Sequence, residues 1–238
     1  MIGCQCEVCR SLDYRDKRLR VSVFLEIGDK NLVIDTGPDF RQQMLRERIN
    51  RLDAILLTHS HKDHIAGLDD VRAFNFLQKE GMPIYGMPKT LEQVRKEFYY
   101  AFEGEKYPGT PELQLHEIDQ AKFSINGISI IPLPVMHLRM PVLGFRIGDF
   151  SYITDANFIP EETFEKLKGT RVLVLNALQK DTHVSHFTLE QAIVQAERIG
   201  AEQTYFTHIS HKMGLHQQVS KELPPSMALA HDGLTVSL

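Results

Sequence analysis

Apolar and polar positions along the chain predict a mixture of strands and helices. VSVFLEIG (21–28) and NLVID (31–35) read as the two arms of a hairpin, with Gly28 and Asp29 at its turn. DAILLT (53–58) has the unbroken apolar character of a short buried strand, and it stops at a histidine-rich stretch. The spacing of Ile65, Leu68, Val71, Phe74 and Leu77 predicts a helix over 65–80, and KTLEQVRKEFYYAF predicts another over 89–102. Residues 104–116 hold Gly104, Pro108, Gly109 and Pro111 and read as a loop. FSINGISIIPLPV (123–135) is a second hairpin, turning at Asn126-Gly127. Strands are expected at VLGFRIG (142–148), FSYITD (150–155), RVLVLNA (171–177) and QTYFTH (203–208). Helices are expected at PEETFEKLKG (160–169), with Pro near its start and Gly at its end, and at TLEQAIVQAERIG (188–200). This order suggests two sheets with helices outside them.

Composition narrows the class. A chain of 238 residues with 42% apolar content has material for a full core. The net charge of −4 supplies no global field for nucleic acid. No apolar run reaches the length of a membrane span, and the first residues do not form a basic-then-apolar signal. A soluble, cytoplasmic protein is the expectation. The three cysteines, Cys4, Cys6 and Cys9, are an odd number in a C-x-C-x-x-C cluster, which points to a metal rather than to a closed disulfide framework.

The densest chemistry is THSHKDH (58–64), at the end of an expected strand. A loop there can aim His59 and His61 at one point and Asp63 and His64 at a neighbouring one. Imidazole and carboxylate together suit zinc, manganese or iron. LLTHSHKDHIAGLDDVR resembles the H-x-H-x-D-H signature of the metallo-β-lactamase fold superfamily. The resemblance implies an α/β (α+β) fold, a four-layer αββα sandwich, covering 1–238 as a single hydrolase domain. It also implies two metal ions at the edge of the sheets. His137 in PVMHLRM, Asp155 in YITDAN and His208 in YFTHIS follow in the family's order. By resemblance, His59, His61 and His137 hold one ion, Asp63, His64 and His208 hold the other, and Asp155 bridges them. Asp35 in NLVIDTGPDF would orient the histidine loop while also shaping the turn before Gly37 and Pro38.

GCQCEVCRS narrows the resemblance to the PhnP-type phosphoribosyl cyclic phosphodiesterase subfamily. There, three cysteines and a histidine three residues past the last catalytic ligand hold a structural zinc. This implies a closed tetrahedral set of Cys4, Cys6, Cys9 and His211, with the zinc-binding loop at 3–11. HFTLEQA resembles the H-x-T element shared with the tRNase Z branch, which makes His186 a general acid and not a ligand. His186 and Asp63 are thus the expected catalytic residues. His183 has no role by this resemblance, and His116, His216 and His231 are expected to be structural or solvated. The family usually carries a strand and a small-residue loop ahead of the cysteines. With the sequence opening at Met1-Ile2-Gly3-Cys4, the fold is expected to lack that first strand and to leave a sheet edge open.

The expected function is a dinuclear-metal phosphodiesterase acting on a small, cyclic phosphodiester through metal-activated water, with His186 protonating the leaving oxygen. Two catalytic ions, zinc or manganese with iron as a further option, and one structural zinc are its cofactors. A tRNase Z-like nuclease is the alternative. However, only one strand and one helix fit between Asp155 and Asp181, which leaves no room for an RNA-grasping arm. A non-catalytic metal-binding protein of a cofactor pathway is the second alternative, opposed by the full ligand set. β-Lactamase activity is disfavoured by the H-x-T element. The expected partners are a small phosphodiester and, by resemblance, a second copy in a homodimer; no membrane is expected, and nucleic acid is disfavoured as a partner.

Overall fold

The computed structural model describes residues 1–103 and 107–238; residues 104–106 of the loop expected at 104–116 lie outside the described residues. In chain order the elements are α1 (Glu7–Arg10), β1 (Val23–Ile27), β2 (Lys30–Ile34), α2 (Phe40–Glu47), β3 (Ala54–Leu56), α3 (Lys62–Ile65), α4 (Arg72–Gln78), β4 (Met82–Gly86), α5 (Pro88–Glu97), β5 (Leu113–Glu117), β6 (Phe123–Ile125), β7 (Ile128–His137), β8 (Met140–Ile147), β9 (Phe150–Ile153), α6 (Glu161–Leu167), β10 (Val172–Asn176), α7 (Leu189–Ile199), β11 (Gln203–Thr207), α8 (His216–Val219) and β12 (Met227–Leu229). The chain divides into two compact units, one of residues 20–128 and one of residues 1–19 with 129–238. None of the helices among the described residues is long and apolar enough to cross a membrane.

In the unit of residues 20–128 the sheet order is β1-β2-β3-β4-β5. β1 and β2 form the expected hairpin, pairing Val23 with Ile34 and Ile27 with Lys30 around Gly28, whose φ is 62°. β2, β3, β4 and β5 run parallel. Parallel strands covered on both faces favour unbroken apolar runs. Accordingly Leu32, Val33, Ile34, Ala54, Ile55 and Leu56 are fully buried. Phe40 and Met44 of α2, Phe74 of α4, and Leu91 and Val94 of α5 pack with Val33 and Ile55 in one core cluster. Each fully buried side chain of this size contributes about 1.5–3 kcal/mol.

The helix expected over 65–80 is broken into α3, a 3-10 turn at Leu68–Val71, and α4. The break falls at Gly67, whose amide donates to Thr36 O at 2.8 Å. A Cβ on Gly67 would come within 2.2 Å of Gly37 O. Thr36 in turn donates its amide to His64 O at 2.7 Å, and a Cβ on Gly37 would meet Asp63 O at 2.2 Å. Two loops far apart in sequence thus press backbone on backbone. Gly37→Ala should cost about 1–3 kcal/mol, the usual range for overpacking. The urea midpoint reports this, and an unchanged midpoint would contradict so close an approach.

Sequence patterning did not reveal α2, β4 or β5. β4 carries Pro83 and Gly86, both poor strand signals, yet Met82, Ile84 and Gly86 alternate as its buried face. β5 corrects the loop reading of 104–116, because Leu113–Glu117 pairs in parallel with Met82–Gly86. Helix α2 buries only Phe40, Gln43 and Met44, too few apolar positions to mark a period.

In the other unit, strands run in the order β12-β11-β10-β9-β8-β7. β7, β8 and β9 pair antiparallel, and β9 to β12 pair parallel. At the end of the unit of residues 20–128, the turn between β6 and β7 has left-handed φ at both Asn126 (50°) and Gly127 (83°), the two-residue hairpin geometry that Asn-Gly favours. Leu133, Val142, Ile153, Leu173, Leu175 and Phe206 form the centre of the core of the other unit. α7 begins with a capping box between Thr188 and Gln191 and ends at Gly200, with φ 71°. α8 and β12, too short to show a period, were not anticipated.

Candidate metal centres

The first donor group sits in the unit of residues 20–128. Residue 35 follows β2 and residues 58–64 follow β3, so the parallel sheet delivers both loops at the same end. Asp35 has φ 64°, a strained conformation for a non-glycine residue, and is fully buried. Its carboxylate accepts the Thr58 amide at 2.9 Å, the Thr58 hydroxyl at 2.8 Å and His64 Nδ1–H at 2.7 Å. With the Thr58 hydrogen committed to Asp35, the Thr58 oxygen accepts from His59 Nδ1, 2.9 Å away. One buried carboxylate therefore sets two imidazoles, directly for His64 and through Thr58 for His59. Both then carry their proton on Nδ1 and a lone pair on Nε2, the form that binds metal. The His59 ring lies 4.6 Å from that of His61 and 4.2 Å from that of His64. Asp63 is half-buried, with Arg20 Nη1 at 4.0 Å, a distance and exposure at which the pair stabilises little.

The second group belongs to the other unit. His137 ends β7 and donates Nδ1–H to Ser185 O at 2.8 Å, again leaving Nε2 as the lone-pair nitrogen. Asp155 follows β9 and His208 follows β11; both have left-handed backbones, with φ 53° and 54°. Neighbouring parallel strands in register place these residues at one end of the sheet. Asp155 is 2% exposed. Its Oδ1 accepts the Thr154 hydroxyl at 2.7 Å and lies 3.1 Å from His208 Nε2; its Oδ2 lies 3.2 Å from His186 Nε2. His186 precedes the Thr188 cap of α7 by two residues, so the helix start fixes it. The His186 ring stacks on His208 with centroids 5.0 Å apart and meets His137 edge-on at 4.6 Å. Asp155, His186 and His208 each offer an atom within 4.8 Å of the others, so geometry alone makes His186 eligible as a ligand as well as an acid.

The third group also lies in this unit. Cys4, Cys6, Cys9 and His211 present their donor atoms within 4.8 Å of one another. Cys4 Sγ and Cys6 Sγ both lie 3.4 Å from His211 Nδ1. The Cys9 amide and then His211 hold the Cys6 thiol down to about 6, toward the thiolate that binds zinc, whereas burial pushes the Cys9 thiol up. Three sulfurs and one imidazole fit a closed tetrahedral zinc site. Cys6→Ser should lower zinc content by about one ion per chain and lower the unfolding midpoint. Elemental analysis with a thermal melt checks this; unchanged zinc under reducing conditions would refute it.

Sequence reasoning missed three supporting residues. Thr58 relays Asp35 to His59. Ser185 anchors His137. Asn157 accepts the Leu138 amide at 2.8 Å and donates to Val184 O at 3.2 Å, tying together the segments that carry His137 and His186. Thr58 adjoins His59, Ser185 adjoins His186 and Asn157 lies two residues past Asp155, so position beside a candidate was their one signal.

The chain matches the beta-lactamase superfamily domain over residues 30–209 and belongs to that family, as a hydrolase of the metallo-β-lactamase fold. Within it, the chain is a member of the PhnP family. It is 40% identical to a diphosphatase of that family whose crystal structure covers 98% of this chain, with 89% of the other chain matched and a TM-score of 0.92. It is also 41% identical over 237 residues to an octanoyltransferase of Porphyromonas gingivalis, covering 98% of this chain. The chain spans only 48% of the length of that protein. A ribonuclease Z from a Mycobacterium species is 27% identical over 223 residues, covering 81% of this chain and 78% of the relative. The fold expected from the histidine and cysteine motifs is thus the fold of this chain.

Proposed function

We propose that the protein is a metal-dependent phosphodiesterase. His59, His61 and His137 would hold one divalent ion, and Asp63, His64 and His208 a second, with Asp155 shared. Family membership supports this set, and so does the protonation pattern of His59, His64 and His137, each with Nδ1 engaged and Nε2 as the lone-pair nitrogen. Bound ions of this kind lower the pKa of water and neutralise charge on a phosphoryl group. The protein's own groups orient the donors and move a proton. Asp35 fixes His59 and His64, Ser185 fixes His137, and His186 protonates the leaving oxygen from Nε2.

The observation that carries this reading is His186 Nε2 at 3.2 Å from Asp155 Oδ2. An imidazole outside the expected ligand set faces the shared carboxylate, where a leaving oxygen would depart. Two relatives by name, a diphosphatase and a ribonuclease Z, cleave phosphorus–oxygen bonds. Octanoyl transfer is not proposed, because the matching protein is about twice as long as this chain, and its name describes the whole of it.

A small cyclic phosphodiester is the proposed substrate. The 40% identity to a diphosphatase favours a second reading, hydrolysis of a linear diphosphate. The two differ in chemistry. A phosphate leaving group departs without help, whereas an alkoxide needs the proton of His186. The test is a panel of cyclic sugar phosphates, cyclic nucleotides, nucleoside diphosphate esters, RNA and bis(p-nitrophenyl) phosphate with metal-loaded protein. Preference for a cyclic diester with strong dependence on His186 supports the first reading. Preference for the diphosphate with weak dependence on His186 replaces it with the second. Turnover of none of them overturns both.

A further inference from the structure

His183 is a half-buried histidine without a place in the metal sites or in the proposed acid step. Its Nδ1 lies 3.2 Å from His186 Nδ1, and the rings meet edge-on with centroids 5.0 Å apart. The Ser185 amide points its N–H at His183 Nδ1 from 3.4 Å. A backbone N–H can only donate, so His183 Nδ1 is an acceptor and the His183 proton sits on Nε2. A hydrogen bond between the two rings then has His186 Nδ1 as its donor. The Ser185 hydroxyl lies 3.1 Å from His186 Nδ1 and 3.5 Å from His183 Nδ1, bridging the same pair.

We propose that His183 is the positioning residue of the acid step: it accepts the Nδ1 proton of His186 and so fixes Nε2 as the nitrogen that delivers a proton to the leaving oxygen. This inference rests on the acid role proposed for His186. The proton balance follows. Doubly protonated His186 gives its Nε2 proton to the departing oxygen and becomes neutral, keeping Nδ1–H donated to His183. The neutral tautomer that results is the one His183 already binds. Without His183, Nδ1 of His186 keeps only the Ser185 hydroxyl, which can donate as well as accept, so the other tautomer becomes accessible. Burial, followed by the charges of His186, Lys212 and His208, lowers the proton affinity of His183, which keeps it an acceptor.

The test compares wild type, His183→Ala, His183→Asn, His186→Ala and the His183→Ala/His186→Ala double variant, with metal content measured for each. Two probes of similar shape are used: bis(p-nitrophenyl) phosphate, whose leaving group departs unaided, and diphenyl phosphate, whose leaving group needs a proton. His183→Ala should lose about tenfold on diphenyl phosphate, the scale of one hydrogen bond, with little loss on the nitrophenyl ester and no loss of metal. His183→Asn should recover most of that loss, because its side-chain oxygen can accept where Nδ1 did. The double variant should be no slower than His186→Ala, since His183 acts through it. Equal losses on the two esters, lost metal, no recovery by Asn, or an additive double variant would overturn the role of His183 while leaving that of His186 standing. If His186→Ala itself shows no leaving-group dependence, the acid reading falls and the role of His183 falls with it.

Discussion

His186→Ala should slow diester hydrolysis by roughly 10²–10⁴-fold, the usual contribution of a placed proton donor, and leave the metal content intact. The loss should depend on the leaving group. Diphenyl phosphate departs as a basic phenolate and needs the proton, whereas p-nitrophenolate departs without one. The variant should therefore retain far more activity on bis(p-nitrophenyl) phosphate. A purely structural defect would depress both rates alike. Metal content settles the second question, because Asp155, His186 and His208 lie close enough for His186 to be a ligand. An ion lost on His186→Ala would move this residue from acid to ligand.

Asp155→Ala should have the broadest effect. The carboxylate is buried, faces His208 through one oxygen and His186 through the other, and is the group proposed to be shared by both ions. Its removal should empty both catalytic positions and leave the Cys3His zinc in place. Activity should fall by at least the ~10²–10⁴-fold expected for the acid. Asp63→Ala is the comparison, because it should empty one position only. Elemental analysis of the two variants after identical loading separates them. Equal occupancy in Asp155→Ala and Asp63→Ala would deny Asp155 its bridging place.

The histidine and cysteine clusters were legible in the sequence because their donors are dense. Four donors in residues 59–64 and three sulfurs in residues 4–9 have few other uses. His137, Asp155 and His208 were legible only through their position at expected strand ends and their order in the family. What places them was not legible. Asp35, Asp155 and His208 all take left-handed backbone conformations, which side-chain identity does not announce outside glycine. The break of the expected 65–80 helix at Gly67 depends on contact with residues 36 and 37, a partner that local periodicity cannot see. β4 and β5 likewise owe their form to each other, through parallel pairing that compensates for weak local strand signals. The capped helix α7 was legible at both ends, because Thr188, Gln191 and Gly200 act locally. His183 was the opposite case. Its meaning lies in one ring nitrogen facing another.

The most direct test is a metal titration of the apo-protein, with bis(p-nitrophenyl) phosphate hydrolysis followed as zinc or manganese is added. The account predicts no turnover without metal, no turnover from filling the Cys3His site alone, and full activity only when two further ions per chain are bound. Full loading without phosphodiester cleavage, or cleavage that survives complete chelation, would contradict it.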